Sequence, residues 1–133
     1  MSHLLDANTC IDHLRRGISS KVTTKLLSAA PGSIYLCSVV VGELLFGARR
    51  STHPAATLAK VRTFCAPYVS LPFDDRAADE YSLIRAHLTR LGQIIGANDL
   101  LIAAIALSNG MTLVTHNTSE FSRVPRLTLE DWQ

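Results

Sequence analysis

The stretch GANDLLIAAIALSNG, residues 96–110, carries the pattern that decides the fold of this chain. Between residues 100 and 107 it is apolar on every side, and a helix without a polar face belongs in a protein interior. Yet an aspartate, Asp99, stands in the first turn of this predicted helix. The pattern therefore predicts a buried helix that carries a carboxylate at its N-terminal end.

The composition is that of one compact domain over residues 1–133. Apolar residues make up 47% of the chain and charged residues 18%, which excludes a disordered chain. The net charge is only +2, although ten of the thirteen basic residues are arginine, which suits bidentate phosphate contacts. Arginine use also follows genomic base composition, so this count alone does not predict nucleic-acid binding.

Cysteine spacing and hydropathy predict a cytoplasmic protein outside the membrane. Cys10, Cys37 and Cys65 follow no CxxC or Cys/His metal spacing, so we expect free thiols in a reducing cytosol. The N-terminal residues lack a basic segment and carry Asp6 at once, unlike a signal peptide. No apolar run reaches the roughly 18 residues that a membrane span needs.

Predicted strands and helices alternate along the chain. Strands are expected at residues 3–5, 33–37, 69–73 and 111–115 and within 124–132, with helices between the first four. Ser20, Ser38, Asp74 and Asn98 are candidate helix N-caps, and residues 116–121 are expected to form a polar turn. The alternation predicts an α/β domain with a mostly parallel sheet.

Several acidic and amide side chains follow predicted strands. Asp6 comes directly after the first strand, Glu43 lies one turn into a helix, and Asn117 and Glu120 follow the strand at 111–115. In open α/β sheets, sites form beyond the carboxyl ends of the strands. Asp99 joins this group if its helix packs antiparallel to the other helices or begins over the same edge.

Clustered carboxylates indicate a metal site. Like charges a few ångströms apart raise one another's pKa and destabilise the fold, and a divalent cation removes that penalty. Oxygen ligands suit Mg²⁺ or Mn²⁺, which polarises a phosphoryl oxygen and lowers the pKa of a bound water. The pattern therefore predicts metal-dependent hydrolysis of phosphodiesters.

Each acid also has a simpler explanation. Asp6 is a candidate cap for the first helix, and Asp99 is a favourable charge at a helix N-terminus, worth about 0.3–1 kcal/mol. Glu43, on an otherwise apolar helix, is harder to explain in this way. The joint placement of the three acids supports a site more than any one of them does.

Five stretches of the sequence are shared in order and spacing with a known family. They are LLDANTCID, SVVVGELLFGA, LPFDDRAADEYSLIRAHL, GQIIGANDLLIAAIAL and LVTHNTSEFSRVPRLTLEDW. The chain resembles the PIN-domain ribonucleases, and among them the VapC-type toxins of bacterial toxin–antitoxin pairs, from His3 to Trp132. This resemblance implies a PIN-like three-layer sandwich, with a central, mostly parallel sheet and helices on both sides.

The resemblance also implies an activity and partners. The family implies an Mg²⁺- or Mn²⁺-dependent endoribonuclease that cuts structured RNA, often transfer RNA, is neutralised by a VapB-type antitoxin and forms a homodimer. Carried over position by position, Asp6, Glu43 and Asp99 match the acidic metal site of the family. Asp6 and Asp99 would ligate the metal directly, and Glu43 would orient metal-bound water or complete the shell.

One position departs from the family pattern. Many PIN domains have a fourth aspartate where this chain has Asn117, with Glu120 three residues further on. An amide can ligate through its carbonyl oxygen but adds no negative charge, so we expect one weakly held metal. The departure leaves open an alternative, a weak or inactive PIN domain that binds RNA or protein without cutting. A receiver-like phosphorelay domain is disfavoured, because no lysine follows Lys60.

The sequence also contains candidate contacts for the RNA substrate and for a protein partner. Candidate RNA-binding residues are Arg15, Arg16, Arg49 and Arg50, although an arginine at such a position is more often a solvated surface charge. We expect His116 to make a local hydrogen bond rather than act as a base. The apolar residues of VVVGELLFG and of the first helices exceed what one small core needs, and we expect a groove for an antitoxin segment or a dimer face there.

Overall fold

Five short strands form one parallel sheet in the computed structural model, which describes residues 1–133. The strands are β1 (His3–Leu5), β2 (Ile34–Cys37), β3 (Val69–Leu71), β4 (Thr112–Val114) and β5 (Leu129–Glu130). Their order is β3-β2-β1-β4-β5, and every neighbouring pair is parallel. The predicted α/β class is confirmed, and the sheet is parallel throughout.

Seven α-helices connect the strands. They are α1 (Ala7–Arg16), α2 (Lys21–Ser28), α3 (Ser38–Arg49), α4 (Pro54–Cys65), α5 (Asp75–Leu91), α6 (Ala97–Ser108) and α7 (Thr118–Phe121). The chain runs outward from β1 to β3 and then returns to β4 on the other side of β1. Right-handed crossovers therefore place α1–α4 and α5–α6 on opposite faces of the sheet, as the three-layer prediction requires.

Two of the predicted helix caps are confirmed. The Ser20 hydroxyl accepts from the backbone N–H of Val22 at 3.1 Å, and a carboxylate oxygen of Asp74 accepts from the N–H of Ala77 at 2.9 Å. Each side chain satisfies an N–H group that the first helical turn leaves without a partner.

Three local predictions are wrong. Ser38 is the first residue of α3 rather than its cap, because the helix starts directly after Cys37 at the end of β2. Asn98 lies inside the first turn of α6, whose cap position is Gly96. Residues 118–121 form α7 instead of a polar turn, because Phe121 is buried and anchors them to the core.

The helix of the opening stretch, α6, is the most deeply buried helix. Five consecutive residues from Ile102 to Ala106 are buried, with at most 1% exposure. Arg76, in the first turn of α5, donates to the carbonyl of Ser108 at the end of α6, so the two helices are antiparallel. Burial of each large aliphatic side chain stabilises the fold by about 1.5–3 kcal/mol, which fixes α6 in place.

The remaining sequence predictions concern cysteines and membrane spans. Cys10, Cys37 and Cys65 are free, as predicted. None of the helices combines the length and the apolar character needed to cross a membrane.

Candidate active site

The acidic residues gather at the carboxyl edge of the sheet, where the strand order changes direction. Asp6 follows β1, and Asn117 and Glu120 follow β4, the strand beside it. Open α/β sheets form their ligand sites at such a switch point. The backbone N–H of Gly96 donates to Oε1 of Glu120 at 2.7 Å, so α6 also begins over this edge and carries Asp99 to it.

The two carboxylate oxygens of Asp6 have different surroundings. It is 5% exposed, and its Oδ1 accepts from the backbone N–H of Thr9 at 2.9 Å, which caps α1. Its Oδ2 makes no hydrogen bond. The capping explanation of Asp6 is therefore correct for Oδ1, while Oδ2 remains available to a ligand.

Glu43 is half-buried on α3 and faces the start of α6. Burial raises the pKa of Glu43, and the nearby charge of Asp6 raises it further, while a hydrogen bond from the Asn98 side chain lowers it. Val40, Leu44 and Ala48 are buried on the same helix and fix its orientation. Asn98 was predicted to cap α6, and its side chain instead interacts with the carboxylate of Glu43 on α3.

Asp99 lies among the other carboxylates. Burial raises the pKa of Asp99 to about 7, together with a hydrogen bond from its carboxyl group to Glu120 and the charges of Glu120, Glu43 and Asp6. The other three carboxylates are therefore within electrostatic reach of Asp99. The charged form of Asp99 is therefore destabilised, as expected for clustered carboxylates.

Glu120 is held by three neighbours. Its Oε1 accepts from Gly96, its Oε2 accepts from Nδ2 of Asn117 at 2.5 Å, and the carboxyl group of Asp99 donates to it. The Gly96 N–H and the other bonds lower the pKa of Glu120, against a smaller effect of burial. Asn117 therefore orients Glu120 through its amide nitrogen, which leaves its carbonyl oxygen unengaged.

The arginines separate into two groups. Arg15 and Arg16 line a cleft of about 480 Å³ that also includes Asn117 and therefore adjoins the acidic group. Arg49 and Arg50 are exposed at the end of α3, outside this cleft, and the Arg50 guanidinium stacks 5.4 Å from the centre of the Phe46 ring.

The partners of two side chains near the site were not predicted from the sequence. His116 was expected to make a local hydrogen bond, and its partner is instead Asp131, 15 positions away, with 3.0 Å between Nδ1 and Oδ2. The Asn98–Glu43 contact joins residues 55 positions apart, and no spacing rule predicts it. The only signal in the sequence is that Asn98 directly precedes Asp99.

The donor set fits Mg²⁺ or Mn²⁺ in its chemistry. The group offers carboxylate oxygens of Asp6, Glu43 and Asp99, with an amide oxygen from Asn117, and these hard cations prefer such ligands. No group of three or more His, Cys, Asp or Glu side chains lies close enough together to hold an ion in this conformation. The assignment of Asp6, Glu43 and Asp99 as ligands therefore stays a prediction.

Comparison with known proteins identifies the family. The model of the PIN domain matches residues 3–127 of the chain. The chain belongs to the PIN-domain family. A relative from Rickettsia felis, ribonuclease VapC2, is 34% identical over 132 residues, which cover 99% of this PIN domain and 98% of the relative. The tRNA(fMet)-specific endonuclease VapC of Salmonella typhimurium is 34% identical over 139 residues, with the same coverage.

Solved structures agree with this assignment. This PIN domain matches a chain of the VapBC2 complex of Rickettsia felis bound to promoter DNA, with a TM-score of 0.92 and 33% identity over the whole of both chains. It matches a chain of the DNA-bound VapBC complex of Salmonella typhimurium with a TM-score of 0.93 and 33% identity, covering 100% of this chain and 99% of the other. The predicted resemblance and the PIN-like fold are both confirmed.

Proposed function

We propose that this PIN domain is a VapC-like toxin, a metal-dependent endoribonuclease that hydrolyses phosphodiester bonds of RNA. The observation that carries the proposal is the gathering of Asp99 with Asp6, Glu43 and Glu120 at one edge of the sheet, close enough for their charges to raise the pKa of Asp99. Such a concentration of acidic groups is costly for the fold and is relieved by a divalent cation. The ribonuclease names of full-length relatives support the same activity. The alternative, a PIN domain that binds without cutting, rests on Asn117 alone.

The substrate proposed here is structured RNA, with transfer RNA as the first candidate. One relative at 34% identity is named a tRNA(fMet)-specific endonuclease, which supports this choice. Phosphate contacts position RNA on a protein, and Arg15 and Arg16, in the cleft that includes Asn117, would make them. Arg49 and Arg50 would contact RNA further from the site.

Each acidic residue of the group would have its own role in hydrolysis. Asp6 and Asp99 would hold Mg²⁺ or Mn²⁺, with Glu43 completing the shell, and the bound ion would polarise a phosphoryl oxygen and favour the hydroxide form of a water. Glu43, whose pKa is lowered by the Asn98 side chain beside it, would orient the attacking water by a hydrogen bond. Glu120, held by Gly96 and Asn117, would keep Asp99 in position through the hydrogen bond between the two carboxyl groups.

The partner proposed is a VapB-like antitoxin, in a cytoplasmic complex. A groove of about 240 Å³ lies between α1, α3 and α4, with Leu14, Leu44 and Val61 in its lining and Arg15 and Lys60 at its polar positions. Its composition suits a segment with apolar side chains flanked by carboxylates. Similar chains were solved within VapBC complexes, which supports an antitoxin as the occupant.

The resemblance also supports a homodimer. Leu83, Leu91 and Ile94 are large apolar side chains that remain more than half exposed on or just after α5. We assign this face to a second copy of the chain, in agreement with the expected homodimer. The mass of the purified protein in solution, measured by light scattering, tests this assignment.

The activity is tested with protein purified free of antitoxin. Transfer RNA is incubated with the protein in EDTA, and then with Mg²⁺ or Mn²⁺ in excess. We expect cleavage only after a metal is added, and a loss of at least ~100-fold in Asp99→Asn, because removal of a ligand forfeits several kcal/mol of electrostatic stabilisation. Protein that leaves every RNA intact with both metals would overturn the proposal, and RNA binding without cleavage would favour the alternative.

A further inference from the structure

The cleft lined by Arg15 and Arg16 also contains groups that the proposed catalytic roles do not use. It opens between α1 and the loop that follows β4, with a volume of about 480 Å³, within the range of about 300–1,000 Å³ of small-molecule sites. Ile11 is the one apolar residue in its lining, so the cleft is built for a polar ligand. Because Asn117 belongs to both the cleft and the acidic group, a polymer bound at the acids would have the cleft beside it.

One wall of the cleft is a face of α1. Asn8, Asp12 and Arg15 recur at helical spacing along this face, and Arg15 lies about 10 Å beyond Asn8 at 1.5 Å per residue. The Asp12 carboxylate is already engaged, since it accepts from the Ser20 hydroxyl and pairs with Arg16 at 3.4 Å. Arg15 is exposed and forms no ion pair, so its guanidinium is available to an anionic ligand.

The opposite wall presents an imidazole with a defined tautomer. Nδ1 of His116 lies 3.0 Å from Oδ2 of Asp131, and a carboxylate can only accept, so the proton of the neutral ring is on Nδ1. Nε2 is then an acceptor without a partner in the structure. His116 is exposed, with 64% of its side chain accessible, and a ligand in the cleft can reach it.

An anion-binding group on one wall and a hydrogen-bond acceptor on the other suit the phosphate and the 2′-hydroxyl of a ribonucleotide. The 2′-hydroxyl of ribose is a hydrogen-bond donor that DNA lacks, and it is the feature by which proteins distinguish RNA from DNA. We propose that this cleft holds one ribonucleotide adjacent to the one being cut, with Arg15 on its phosphate and Nε2 of His116 accepting from its 2′-hydroxyl. The inference rests on the proposed ribonuclease function and adds to it a residue that selects RNA.

The test measures binding of an oligoribonucleotide and of the oligodeoxyribonucleotide of the same sequence, with Mg²⁺ present and in the Asp99→Asn background. We expect His116→Ala to weaken RNA binding about 3- to 10-fold, the value of one hydrogen bond, and to leave DNA binding unchanged. We expect Arg15→Ala to weaken both, and to lower the slope of log K against log salt by about 0.7. Arg62→Ala, which removes an exposed arginine of α4 outside the cleft, serves as the matched control.

Each outcome has a defined meaning. Equal losses of RNA and DNA binding in His116→Ala, or no loss, overturn the role of His116. An Arg15→Ala variant that behaves like Arg62→Ala overturns the phosphate contact. In either case cleavage of RNA by the parent protein leaves the ribonuclease proposal intact. A parent protein that neither binds nor cuts RNA overturns both proposals together.

Discussion

The backbone N–H of Gly96 donates a 2.7 Å hydrogen bond to Oε1 of Glu120, and this bond joins the start of α6 to the segment after β4. The two residues are 24 positions apart. A Cβ atom on Gly96 would lie 3.5 Å from Oδ2 of Asp99 and 3.7 Å from Oε1 of Glu120. The absence of a side chain at Gly96 therefore leaves the space beside Oδ2 of Asp99 unfilled.

Gly96→Ala tests this role. The φ angle of −55° suits any residue, and the contacts of the new methyl group are of ordinary van der Waals length, so the fold tolerates it. We expect the free energy of unfolding to change by less than ~1 kcal/mol. We expect the affinity for Mg²⁺ to fall about 10-fold, because the methyl covers oxygens of the site. Thermal unfolding and a Mg²⁺ titration followed by calorimetry measure the two quantities.

Gly47→Ala is the matched control for this substitution. Gly47 lies within α3, and an added Cβ atom would meet nothing within 4 Å. Replacing a glycine inside a helix should raise the free energy of unfolding by about 0.5–1 kcal/mol, with no change in Mg²⁺ affinity. Equal losses of Mg²⁺ affinity in Gly96→Ala and Gly47→Ala would contradict the role assigned to Gly96.

The acidic group should make the metal-free protein less stable as the pH rises. The pKa of Asp99 is raised from 3.8 to about 7, and the pKa of Glu43 is raised as well. Between about pH 4.5 and 7 the folded protein therefore binds more protons than the unfolded chain, and the free energy of unfolding falls with increasing pH. The lowered pKa of Glu120 acts in the opposite direction, but only below its ordinary value of 4.5.

Urea unfolding at several pH values in EDTA measures this dependence. Asp99→Asn should reduce the decrease in stability between pH 4.5 and 7, because the amide does not titrate. Addition of Mg²⁺ at pH 8 should restore stability to the parent protein, because a ligand of the folded state stabilises it. If the free energy of unfolding of the parent protein is constant or rises over this interval, Asp99 does not destabilise the metal-free fold as proposed.

Asn98→Ala should reduce the rate of RNA cleavage. Asn98 donates to Glu43 and lowers the pKa of that carboxyl group, so its removal leaves Glu43 less well oriented and more readily protonated. Removal of a residue that orients a ligand typically costs 10- to 100-fold, and we expect a loss of about this size. The melting temperature should remain close to that of the parent protein, since Asn98 is exposed.

The control for Asn98→Ala is Gln93→Ala. Gln93 is an exposed amide residue whose side chain has no hydrogen bond, so its loss removes a polar group without disturbing a carboxylate. Cleavage rates of Gln93→Ala should match those of the parent protein. A loss confined to stability in Asn98→Ala, with kcat unchanged, would show that the Asn98–Glu43 bond does not serve catalysis.

The groove between α1, α3 and α4 offers a way to separate neutralisation from cleavage. Gly47 lies in its lining, and the space around its Cβ position is open, so Gly47→Leu should fill the groove without a clash in the free protein. We expect RNA cleavage to be unchanged while the affinity for the cognate antitoxin falls by at least ~10-fold, since the new side chain occupies the volume that the partner needs. Titration of the cleavage reaction with antitoxin measures the effect.

Local sequence patterns predicted some contacts well and others poorly. Ser20 and Asp74 cap their helices as expected, because each bonds to a backbone N–H within three residues and needs no partner elsewhere. Asn98 follows the same local pattern but donates to Glu43, a residue on a different helix. A helix cap can be predicted because its hydrogen-bond partner is nearby in sequence. The partner of Asn98 is Glu43 of α3, which comes near Asn98 only when the chain folds.

The acidic group shows the same division. Asp6, Glu43 and Asp99 were assigned from their positions after strands and at a helix start, and the structure brings their charges within reach of one another. The roles of Asn117 and Gly96 in holding Glu120 depend on two segments that meet only in the folded chain. No spacing in the sequence distinguishes an amide that would ligate a metal from one that orients a carboxylate.

The sequence by itself determined the α/β class, the buried α6 and the edge of the sheet at which the acids gather, because hydrophobic periodicity and strand ends are properties of local chain order. Only the tertiary structure decided which side chains hold which carboxylates, and that His116 pairs with Asp131 on the wall of a cleft. Hydrogen bonds and pKa values depend on distance and burial. Those quantities are set when elements far apart in the chain pack against each other.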